Sequence, residues 1–78
     1  MYYFLIIEES VEQFIPESLE CEEIKLVAFR PKMRALCWED KNKQEEAQVK
    51  LKELGIKFEL PYRRGPSPSF YATKNLNE

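Results

Sequence analysis

The sequence predicts a small α+β domain, a two-layer sandwich of helices on an antiparallel sheet with a short C-terminal extension. Three observations predict it. Residues 2–7 read Tyr-Tyr-Phe-Leu-Ile-Ile, aromatic or branched without a break, as in a strand covered on both faces. Residues 42–55 carry helix-start and helix-stop signals around an apolar stripe. Residues 56–62 alternate strictly between apolar and polar, the period of a strand with one wet face.

The elements follow in order. The first strand, residues 2–7, has no polar alternation and is expected at the centre of the sheet. Ser10 can cap a following helix, with Glu12 in its first turn. Val11, Phe14, Ile15 and Leu19 recur at helical spacing, but Pro16 removes an interior hydrogen bond, so a short or broken helix is expected. Residues 24–29 form the second strand, Arg30-Pro31-Lys32 the turn, and residues 33–38 the third strand. Leu36 and Trp38 share one face of that strand; Met33, Ala35 and Cys37 share the other.

The clearest helix comes next. Asp40 or Asn42 caps it, Ala47, Leu51 and Leu54 lie on one side, and Gly55 closes it in a left-handed conformation. Glu46 and Lys50 are ordered for a surface pair. In the last strand Ile56, Phe58, Leu60 and Tyr62 face one way, and Pro61 marks an edge. The order βαββαβ is that of the ferredoxin-like sandwich. Residues 1–62 are expected to form the core domain. Residues 63–78 form a Pro- and Ser-containing extension packed on the core.

A chain of 78 residues buries a small core, so its stability is expected to be a few kcal/mol at about this size. A metal is not expected to supply the difference, although the plentiful acids leave a carboxylate site for a hard cation open in principle. The sequence has no histidine and two cysteines, too few soft ligands for structural zinc. A disulfide is not expected either. With the turn at Pro31-Lys32, Cys37 lies opposite Leu26 or Val27. Cys21 is then ~16 Å away at ~3.3 Å per residue, beyond the ~7 Å Cα separation a disulfide allows. Two reduced thiols point to a cytoplasmic setting. The six-residue apolar opening lacks a basic flank and is too short for a signal core or a membrane span. A homodimer is the remaining way to gain stability.

Charge is segregated. Residues 1–24 hold Glu8, Glu9, Glu12, Glu17, Glu20, Glu22 and Glu23 and no Lys or Arg, while residues 25–34 hold Lys25, Arg30, Lys32 and Arg34 and no acid. Such patches steer charged partners, although a solvated surface has the same composition. Arg30, Lys32, Arg34, Arg63 and Arg64 are the expected partner-binding residues. Reversing Arg30 and Arg34 to Glu is expected to weaken binding at little thermal cost.

Catalysis has little to stand on. Histidine, the commonest general base, is missing. Cys37 lies in an apolar strand and reads as a core thiol. Ser10 reads as a cap. Glu8 and Glu9 are neighbours at a strand end and point to opposite faces. With only Gly55 and Gly65 there is no phosphate-cradling loop. No catalytic residue, cofactor or metal is assigned.

The expected function is a non-enzymatic protein-binding module: a regulator, inhibitor or accessory subunit engaging a larger protein partner. The alternative is a nucleic-acid binder that uses the basic hairpin and open sheet face, with Trp38 and Tyr71 as stacking surfaces. Against it stands the net charge of −2, since nucleic-acid modules are usually basic. A small metal-dependent nuclease or hydrolase is the third reading. Arg63 to Pro68 also resembles a proline-rich ligand segment.

Overall fold

A computed structural model of the chain describes residues 1–27 and 29–61. The expected C-terminal extension, Tyr62, Arg63, Arg64 and Tyr71 lie outside the described residues. The rest is an α+β domain: a three-stranded antiparallel sheet with one α-helix.

Strand β1 spans Tyr3–Glu8, β2 spans Glu23–Val27 and β3 spans Arg30–Trp38. The sheet order is β1-β3-β2. Pairing of β1 with β3 runs from Tyr3 opposite Trp38 to Glu8 opposite Met33. Phe4, Leu5, Ile6 and Ile7 are all buried, as an unbroken apolar strand requires. On the outer side of β1, Ile6 and Glu59 exchange both backbone hydrogen bonds, at 2.9 and 2.8 Å.

Two expected elements are corrected. The expected fourth strand contracts to that single bridge at Glu59. The first helix is two 3-10 segments, Glu9–Phe14 and Glu17–Leu19. Pro16 lies between them and cannot donate the bond that would join them. Ser10 does not cap: Glu8 holds the N-cap position without a side-chain bond, and the Ser10 hydroxyl lies 3.4 Å from the Glu8 carboxylate. A complete βαββαβ topology is therefore not formed among the described residues.

The hairpin is corrected too. Val27 pairs with Arg30 and Phe29 lies in the turn between them, so the chain does not reverse at Pro31-Lys32. Leu26 pairs with Arg34, which leaves residues 31–33 of β3 without partners in β2. This bulge accommodates Pro31, which has no N–H to give a ladder. It also shifts the register, so Cys37 lies opposite Glu23. Cys21 is accordingly near Cys37 along the sheet, not five residues away. Both thiols are free, and they pack on different faces of the sheet.

Helix α1 spans Lys41–Glu53. The Asp40 carboxylate accepts from the Asn42 N–H at 2.8 Å, the expected cap. At the other end Gly55 has φ +76. Its N–H donates to Lys52 and the Ile56 N–H donates to Leu51, the paired bonds of a Schellman motif. The buried stripe is Gln44, Ala47 and Leu51; Leu54, expected inside, is 50% exposed. Gln44 is tolerated because its amide donates to the Phe4 carbonyl at 3.1 Å.

Ala47 and Leu51 pack with Leu5, Ile7, Leu36, Trp38 and Leu19 on one side of the sheet. Phe4, Ile6, Val27, Ala35 and Cys37 form a second cluster on the other. Trp38 is fully buried and donates its indole N–H to the Leu19 carbonyl at 2.7 Å. It is core, not a stacking platform. No helix among the described residues is long and apolar enough to cross a membrane.

Candidate functional site

The basic hairpin is a physical feature, but its charges are mostly spent inside the chain. Arg30 donates to both carboxylate oxygens of Glu59, at 3.0 and 2.9 Å. The guanidinium holds the Glu59 carboxyl below the usual carboxylate range. Lys25 pairs with Glu23 at 2.7 Å, which raises the lysine above its ordinary value.

Arg34 is tied most firmly. Its guanidinium donates to the carbonyls of Pro31 and Met33, at 2.9 and 2.8 Å, and to Glu9 at 2.7 Å. Its Nε lies 3.5 Å from Glu12. The two carbonyls belong to the bulge or its border, where the ladder to β2 fails. Arg34 thus supplies the donors that β2 does not, and its side chain is only 15% exposed. Replacing it with Glu is no longer expected to be thermally silent. It would break the clamp and set a third carboxylate beside Glu9 and Glu12.

Lys32 is the remaining cation of the hairpin, exposed and beside Glu8, Glu9, Ser10 and Met33. It makes no ion pair among the described residues. Arg63 and Arg64 lie outside those residues.

The feature that sequence reasoning missed is at the turn. Phe29 has φ +60, a left-handed conformation that non-glycine residues adopt at a cost of roughly 1–2 kcal/mol. The residue is 79% exposed, the most of any large hydrophobic residue described. Turn residues are usually Gly, Asn or Asp, so nothing about Phe29 announces a turn. Pro31 did, and drew the expectation to the wrong place.

A second surface lies at the opposite edge. The outer side of β2 meets no strand among the described residues. Next to it is an open groove. Ile15, Cys21 and Ile24 supply its apolar part, and Glu9, Glu12 and Glu17 its rim.

The two thiols are both held in their protonated form. The Cys37 thiol is pushed up to about 12 by burial, so it is not a thiolate near neutral pH. Cys21 is also raised, first by burial, and its thiol donates to the Glu23 carbonyl at 2.9 Å. Among the described residues no group of three or more Cys, Asp or Glu is arranged to hold a metal.

Comparison with family models, with curated proteins and with solved structures finds no match to the chain.

Proposed function

We propose that the chain is a non-enzymatic protein-binding module that engages a larger partner through the tip of its β2–β3 hairpin. One observation carries this reading: an aromatic ring held in water, on a backbone conformation that disfavours it. Aromatic residues, Phe among them, are enriched in the cores of protein interfaces, and strain held at a loop tip is a pointer to function. A turn with no use for the ring would be relieved by Gly or Asn.

The flanks suit a protein partner. Lys32 is uncommitted, and Arg30 keeps a half-exposed side chain whose surface pair with Glu59 can be exchanged for a partner's carboxylate. The complementary surface is an apolar pocket bordered by acids. Nucleic acid is the less supported partner, because three of the four cations in residues 25–34 already face carboxylates of this chain. The fold is read as a reduced ferredoxin-like sheet. The Glu59 bridge stands where a fourth strand would lie, and the 3-10 segments stand for the first helix.

The test uses Phe29→Gly, which deletes the ring and suits the positive φ. Tagged wild type, Phe29→Gly and Lys32→Glu are used to capture partners from nuclease-treated native lysate. A protein held by the wild type is expected to be lost on Phe29→Gly and weakened on Lys32→Glu. Capture that is unchanged by Phe29→Gly, or that disappears from wild type with nuclease, contradicts the reading.

A further inference from the structure

The outer edge of β2, which meets no strand among the described residues, is self-complementary, and we propose that it pairs with the same edge of a second copy of this chain. The inference is independent of the hairpin tip and concerns a different edge of the sheet.

An edge strand presents backbone donors and acceptors that another strand can complete. Strand β2, Glu23–Val27, is short, and Glu22 just before it donates its N–H to the Cys37 carbonyl at 2.8 Å. A two-fold axis through Ile24 pairs Glu23–Lys25 with the same residues of the copy, antiparallel, and sets Leu26 and Val27 against Glu22 and Cys21.

In that register Ile24 meets Ile24, and Glu23 of each copy lies directly opposite Lys25 of the other. Residues directly opposite share a face. Glu23 and Lys25 already pair within the chain at 2.7 Å. Across the axis the four charges alternate in sign, each with an opposite charge on both sides. Shifting the axis by half a residue to lie between Ile24 and Lys25 sets Glu23 against Leu26. Shifting it to Lys25 sets two lysines opposite each other. The charge pattern thus selects the Ile24 register.

The other face agrees. Ile24 is 38% exposed and borders the groove containing Ile15 and Cys21. Each copy's Ile24 covers that apolar patch of the other. Edge lysines normally oppose strand addition; here the lysine is matched by the opposing glutamate. A five-residue contact is much smaller than a standard interface of roughly 1,200–2,000 Å², so the dimer is weak and concentration-dependent.

The test is sedimentation equilibrium of the full chain across concentration, with the charges exchanged. Wild type is expected to show a monomer–dimer equilibrium. Lys25→Glu and Glu23→Lys each place like charges opposite at two symmetric positions. Each is expected to weaken self-association about tenfold or more, from two cross-strand pairs of up to ~1 kcal/mol each. Two results separate pairing from misfolding. The double exchange Glu23→Lys/Lys25→Glu is expected to restore dimerisation. An equimolar mixture of the two single variants is expected to form heterodimers, because one edge is then all acidic and the other all basic. A wild type that stays monomeric to about 1 mM, a double exchange that fails to recover while remaining folded, or single variants that do not differ from wild type would overturn the proposal. In the first of these cases the edge and groove are left to another occupant, such as a basic extended peptide.

Discussion

Arg34 holds the irregular half of the hairpin, and its geometry ranks it above Arg30 in structural weight. Arg34 is largely covered and bonds two backbone carbonyls and Glu9. Arg30 pairs with the half-exposed carboxylate of Glu59. Charge-assisted bonds at covered sites contribute about 1.5–3 kcal/mol, and exposed pairs about 0.2–1. Arg34→Ala is expected to lower stability by about 2 kcal/mol in urea unfolding, and Arg30→Ala by less than about 1. The reverse order would show that the bulge does not depend on the clamp. Cys37 gives a second prediction, in pH. Its folded pKa is raised to about 12 from an ordinary value of 9.0. The unfolded chain therefore releases the proton first. The stabilisation is fully present below about pH 9 and is lost as pH rises through the folded value. The thermal midpoint should fall across that window, and Cys37→Ala should flatten the fall while lowering the neutral-pH midpoint.

Elements differ in how openly their residues declare them. Strand β1 and helix α1 were legible because each rests on local signals: an unbroken apolar run, an Asp40 cap and a Gly55 stop. Gly55 shows how local they are. It has φ +76 and nothing within 4 Å of where a Cβ would stand, so Gly55→Ala is penalised by backbone conformation alone. A loss of about 1 kcal/mol in chemical denaturation is expected; no loss would mean that the helix end can rearrange. The first helix was not legible as what it is, since Val11, Ile15 and Leu19 have the right spacing and only Pro16 argues against it. The hairpin misled most. Its turn lies where no turn residue stands, and its proline occupies a bulge defined by Arg34's tertiary bonds. The site inherited that error. Arg30, Lys32 and Arg34 were found as a basic cluster, but which charges were already matched depends on Glu9 and Glu59, distant in sequence. Phe29 carried no sequence signal for exposure. The Glu-Ile-Lys edge is readable in the sequence once β2 is known to be an edge.

At the scale of the molecule, a thin sheet separates two small apolar clusters, and little core is available to absorb damage. Stability of a few kcal/mol, at about the level such small domains reach, leaves room for a second subunit to matter. Dimerisation through β2 makes the thermal midpoint rise with protein concentration, and Lys25→Glu should abolish that rise. The hairpin tip is a separate surface, so Lys25→Glu should leave partner capture intact and Phe29→Gly should leave self-association intact. Phe29→Gly should also retain the thermal midpoint or raise it slightly, because relief of the left-handed strain is partly offset by glycine's greater unfolded-state entropy. The most direct test of the account is an amide chemical-shift titration of isotope-labelled wild type with the captured partner. The account predicts that the largest shifts centre on Phe29, Arg30 and Lys32 and are absent when Phe29→Gly is titrated. Shifts centred instead on α1 or on the acidic 3-10 segments, with the hairpin tip unmoved, would contradict it.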